Sequence, residues 1–305
     1  MSHSSSSAGA STLASAVRWV AVTLALVAST VVDAKIVEVQ LDPALFGNLD
    51  QQTTDCKATN CGPTSAINSF VFLQNQHPKV YGTSLIPGTV VNPDGSYSYP
   101  DGVLKNAANV IGANPYMGTC LPCGPNNGTY VEDFIIGKRD YLEKMAPGKT
   151  IYHAQRSIEW RESPDGGTHP GTKKPDWVQE NTKPTLGFLT GELRKKQDIE
   201  LFLTEGDEAH YITLTGIKYD DVALTGTISF IDAWGGKPGT ADFKMDDGFI
   251  KTDYTLGSEG KIKIGYIRTA VAESPVPEPS VWVMLAAGMI SLAVIRARRG
   301  DRHRG

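Results

Sequence analysis

Apolar positions near-alternate with polar ones from Lys35 to Leu41 (Ile36, Val37, Val39, Leu41), which predicts a first strand. A polar approach segment, Leu45 to Asp55, follows. The period then changes. Ile67, Phe70 and Val71 recur at helical spacing after Asn60, a residue suited to an N-cap. Pro63 falls in the first turn and Pro78 beyond the end, so a helix opens at about Cys61. Residues 82–130, rich in Gly, Pro, Asn and Tyr, read as loops around a short helix from Gly102 to Val110. Tyr130 to Met145 reads as a helix stopped by Pro147-Gly148, Thr150 to Ile158 as extended chain, and Arg161 to Pro184 as a long exposed loop. Leu186 to Lys196 reads as a helix and Asp198 to Thr204 as a buried strand. Two β-rich runs, 209–216 and 227–232, flank a turn at Asp220-Asp221, and Asp242 to Ile267 supplies the last strands. Residues 35–272 have a length that suits one domain.

Both ends depart from this pattern. Residues 1–34 combine a polar Ser-rich start, Arg18, an apolar run from Trp19 to Val27 and Val32-Asp33-Ala34, the pattern of a signal peptide. At the other end Pro275-Val276-Pro277-Glu278-Pro279-Ser280 leads into an uncharged apolar run, Val281 to Ile295. Arg296, Arg298, Arg299, Arg302 and Arg304 follow. The run is short for a membrane span, but the arginines can reach the interface and would stay cytoplasmic. Residues 273–305 therefore read as a separate tail that attaches to a membrane, with the body of the protein exported.

A net charge of −4, with no basic stripe interleaved with aromatics, argues against nucleic acid as a partner. The pair Cys120-Leu121-Pro122-Cys123 has no second such pair and no paired histidines, so no metal site is completed, and no motif asks for a cofactor. In an exported protein a structural disulfide among Cys56, Cys120 and Cys123 is the better reading, its pairing open.

Candidate chemistry centres on Cys61. A thiol on the first turn sits at the positive end of the helix dipole, which favours thiolate, the nucleophilic form. On the β-rich runs, His210 shares a face with Ile212 and Leu214, and Asp232 with Ile228 and Phe230. The midpoint of 210 and 232 is 221, inside the turn, so an antiparallel hairpin would set His210 and Asp232 opposite or nearly so. The carboxylate could then accept from one imidazole nitrogen and leave the other for a thiol. His153 and His169 have no such partner.

The run Cys61-Gly62-Pro63-Thr64-Ser65 resembles the nucleophile motif of papain-like cysteine peptidases of the bacteriocin-leader-processing (double-glycine) type. Asp232-Ala233-Trp234-Gly235-Gly236 resembles that family's last catalytic element, and the likeness covers residues 51–74 and 209–236. It implies an α+β, papain-like fold with the Cys61 helix packed on an antiparallel β-sheet, a Cys61–His210–Asp232 triad, a peptide or protein substrate and acyl transfer through a thioester. Such enzymes use a glutamine about six residues before the nucleophile as oxyanion donor. Here that position is Asp55, which cannot donate when ionised, and the nearest glutamines are Gln52 and Gln51. The alternative is a catalytically silent domain on the same scaffold, a cell-surface or exopolysaccharide-matrix component. The tail resembles the PEP-CTERM sorting signal of Gram-negative bacteria, with Pro277, Glu278 and Pro279 as its motif. That likeness implies signal peptidase and exosortase as processing partners, transient inner-membrane anchoring and a surface or extracellular destination.

Overall fold

The computed structural model describes residues 34–119, 128–161, 169, 171–256 and 262–276. All belong to one compact unit beginning at Ala34. The predicted signal peptide, the Pro277-Glu278-Pro279 motif, the apolar run and the arginine tail lie outside them. Among the described residues no helix is long and apolar enough to cross a membrane.

In chain order the elements are β1 (Ile36–Gln40), α1 (Cys61–Gln76), α2 (Pro78–Tyr81), a small hairpin of β2 (Val90–Val91) and β3 (Tyr97–Ser98), α3 (Val103–Gly112) and α4 (Val131–Met145). Then come β4 (Thr150–Arg156), β5 (Val178–Gln179), α5 (Leu186–Arg194), β6 (Asp198–Glu205), β7 (Glu208–Asp220) and β8 (Thr225–Asp232). The chain continues through β9 (Lys237–Asp246), β10 (Phe249–Thr252), β11 (Thr255–Leu256), β12 (Ile262–Lys263) and β13 (Tyr266–Pro275). The architecture is α+β. A large antiparallel sheet runs β1-β7-β8-β9-β10-β13-β4-β5, with β6 bonded to both β7 and β13. That double pairing closes β6-β7-β8-β9-β10-β13 into a ring and removes its open edges. One face of the ring strands carries Leu201, Leu203, Ile212, Leu214, Ile228 and Phe230, all buried.

α1 is buried from Cys61 to Gln74, so its burial is all-round rather than a stripe. Its polar residues are spent on fixing neighbours. Ser65 Oγ and Thr213 Oγ1 lie 2.9 Å apart, seating the first turns on β7. Asn68 Oδ1 accepts from Leu49 N–H at 2.8 Å, which holds the approach segment against the helix. Asn60 occupies the N-cap position but its side chain makes no capping bond, unlike the sequence reading; its carbonyl accepts from Thr64 N–H instead.

Three further differences have physical causes. The stretch expected as an exposed loop, 161–184, contributes β5, a short strand parallel to β4 with Val178 buried, so the sheet is not wholly antiparallel. β13 runs past 272 to Pro275, with Glu273 and Ser274 buried, because both β4 and β6 pair with that stretch. The folded part thus ends close to the proline-rich motif: Val276 N–H still donates to Lys149 O. Lastly, α4 carries a buried lysine. Lys138 contacts Glu200 and Glu273 directly, with Asp198 at 3.6 Å and Ser69 Oγ donating to Asp198 at 2.5 Å.

Candidate active site

Cys61 is the first residue of α1, 8% exposed, and its thiol is free. Gly62 follows because there is no room for more: a Cβ there would meet Thr129 Oγ1 at 2.8 Å. Burial alone would push the Cys61 thiol up. The hydrogen bond and charge of His210, then backbone N–H groups of Tyr211 and Gly62, outweigh it and hold the thiol below its ordinary value.

His210 lies near the start of β7 and is 1% exposed. Its Nε2 is 2.9 Å from Asp232 Oδ1, which leaves Nδ1 for the thiol. Burial would lower its pKa. The bond to Asp232 and the bond and charge of Cys61 raise it instead, to about 9. A lowered thiol and a raised imidazole both favour the ion pair, thiolate facing imidazolium, over the neutral pair.

Asp232 closes β8, and its register differs from a symmetric hairpin. It pairs with Ile212, and a bulge between Leu214 and Gly216 shifts the ladder by one residue. His210 is therefore diagonal to Asp232 on the shared face, within reach of a long side chain. Asp232 Oδ1 also accepts from Trp234 N–H at 2.8 Å, and Oδ2 accepts from Tyr254 Oη at 2.8 Å. Tyr254, 5% exposed, lies with its ring at 3° to the His210 ring and 5.8 Å from it. This positioning residue was missed from sequence, where a tyrosine in an irregular turn carries no spacing signal.

The approach segment is tied to the same end of β8. Gln51 N–H donates to Ala233 O, and Asp50 Oδ1 accepts from Gly235 N–H at 3.0 Å. Gly236 has φ +64° and no space for a Cβ, which would fall 2.1 Å from Asn48 O. That contact accounts for the glycine in Asp-Ala-Trp-Gly-Gly. Of the two glutamines, Gln51 is buried, with Nε2 donating to Lys57 O at 2.8 Å and Oε1 unpartnered. Gln52 is half-buried and points its amide at the same carbonyl from 3.4 Å. Asp55 is turned outward onto Lys105 at 2.9 Å, its side chain 66% exposed.

Cys56 is disulfide-bonded, while Cys120 and Cys123 lie outside the described residues. His153 sits half-exposed, 3.4 Å from Glu192 Oε2, and His169 Nε2 bonds to Tyr116 O, so neither approaches Cys61 chemistry. The carboxylates of Asp198, Glu200 and Glu273 gather closely enough to hold a cation, but Lys138 already supplies one between them. No protein-family model matches the chain, and no curated protein matches it.

Proposed function

We propose that this chain is an exported papain-like cysteine peptidase or peptidyl transferase, with Cys61 as nucleophile, His210 as acid–base and Asp232 as orienting carboxylate. The observation that carries the reading is the Cys61–His210–Asp232 relay, the thiol held down and the imidazole held up. The Cys61 thiolate attacks the peptide carbonyl carbon. His210 gives its proton to the departing amine, leaving a thioester on Sγ. Water, or an acceptor amine, then attacks the thioester after losing a proton to the neutral His210. The tetrahedral oxyanion would be met by Cys61 N–H, a first-turn group with no partner inside the helix, and by the Gln51 amide after it turns from Lys57 O. Gln51 suits this role better than Gln52 because it is buried and moored to Ala233.

In this reading the N-terminal segment exports the domain. The tail, as a PEP-CTERM-type signal, holds it at the inner membrane until an exosortase cuts near Pro277-Glu278-Pro279. The near-complete burial of Cys61 and His210 favours a second reading, a catalytically silent surface or matrix domain. A peptidyl acyloxymethyl ketone separates the two. The enzyme reading expects one covalent adduct, mapped to Cys61 and lost in His210→Ala. An unlabelled protein with an accessible thiol supports the silent domain.

A further inference from the structure

Beside the reacting pair lies a cavity of about 370 Å³ whose apolar walls are Val131, Ile158, Phe202 and Ala209. It adjoins the site on two sides. Ala209 immediately precedes His210, and the wall residue Thr129 packs on Gly62 next to Cys61. Two arginines and one carboxylate line it: Arg156, Arg161 and Glu132. Arg156 is 1% exposed. Its Nη2 donates to Glu132 Oε1 at 2.8 Å and to Glu159 O at 3.0 Å, and Trp160 stacks on the guanidinium at 5.1 Å. Its Nε and Nη1 are buried with no hydrogen-bond partner. Arg161 donates its backbone N–H to Glu132 Oε1 at 3.1 Å, while its side chain, 62% exposed, brings the guanidinium only to 4.0 Å from that oxygen. Buried guanidinium donors are costly to leave unmade, and a fixed guanidinium pairs best with a carboxylate.

We propose that this cavity binds an acidic side chain of the peptide, with Arg156 and Arg161 taking the carboxylate and the apolar walls its methylenes. Calling the peptide a substrate rests on the function proposed above. The pocket makes the domain selective for Glu or Asp at one position beside the scissile bond.

The test reads binding, so it stands apart from turnover. Cys61→Ala protein, which cannot acylate, is titrated with hexapeptide pools in which each position in turn is fixed as Glu or as Gln. At one position the Glu pool is expected to bind about tenfold tighter than the Gln pool, a preference that salt weakens. In the Cys61→Ala, Arg161→Glu protein that ratio should fall to about one or invert. The Arg161 side chain is exposed and the backbone N–H that bonds Glu132 is kept, so this variant retains the direct contacts of the buried Arg156–Glu132 pair. Equal affinity at every position, no binding by either pool, or a Glu preference untouched by Arg161→Glu overturns the proposal.

Discussion

Cys61→Ala is expected to lower kcat/KM on a cleavable peptide by roughly four to six orders of magnitude, and His210→Ala by nearly as much. In the proposed mechanism His210 makes the thiolate, so removing either partner removes the same nucleophile. The double variant should therefore lose little beyond Cys61→Ala alone. Asp232→Asn should cost less, on the order of 10⁴-fold, because Asp232 holds the ring and the charge without taking the proton. Tyr254→Phe deletes one hydrogen bond to Asp232 Oδ2 and should cost about tenfold at most. Steady-state kinetics on the four single variants and the double variant check the ranking. Additive losses in the Cys61/His210 pair would mean that the two side chains do not act as a unit.

The second large effect is on stability. Lys138→Met leaves Asp198, Glu200 and Glu273 buried without their cation and is expected to destabilise the fold by about 3–5 kcal/mol at neutral pH. One ammonium cannot neutralise three carboxylates in a dry site. Burial accordingly raises Glu200 to about 7, against the pull of Lys138, and raises Glu273 well above the usual carboxylate range. A folded-state carboxyl pKa above the unfolded value means that the native state keeps a proton the unfolded chain releases. The cluster's contribution is thus complete below about pH 4.3 and falls as pH rises through about 7. Without the lysine more protons must be kept, so the variant should lose stability with pH more steeply, by about 1.4 kcal/mol per pH unit for each extra proton. Urea unfolding of both proteins at pH 5 and pH 8, disulfide intact, measures this. Parallel pH dependences would show that the cluster does not act as a coupled set.

The sequence made some of this legible and hid the rest for identifiable reasons. The Asn60–Pro63 start and the spacing of Ile67, Phe70 and Val71 announce α1, and the paired β-rich runs announce β7 and β8. Alternation was enough to put His210 and Asp232 on one face. It could not reveal the bulge at Thr215, because a single extra residue changes register without changing composition. The ring closure by β6 was hidden too, since pairing between β6 and β13 joins segments far apart in the chain. Lys138 lies four residues after Phe134 and four before Leu142, on their helical face. A lysine on an apolar stripe was the available signal, but its carboxylate partners come from two distant strands. Asp55 stands where the resemblance expects a glutamine, but its side chain faces outward. The 3-10 turn at Gln51–Thr53 and the turns after it carry Gln51 inward and Asp55 out to Lys105.

The central claim is that Cys61 exists as a thiolate because His210 holds the proton, and the pH profile of its alkylation tests this most directly. With iodoacetamide, the unmodified protein should react fast at about pH 6, well below the free-thiol value of about 8.5. The rate should change again near pH 9, where His210 loses its proton and the thiolate its counter-charge. In His210→Ala the reaction at pH 6 should fall sharply and the curve should return toward an ordinary thiol. A single rise near pH 8.5 in the unmodified protein, unaltered by His210→Ala, would contradict the account.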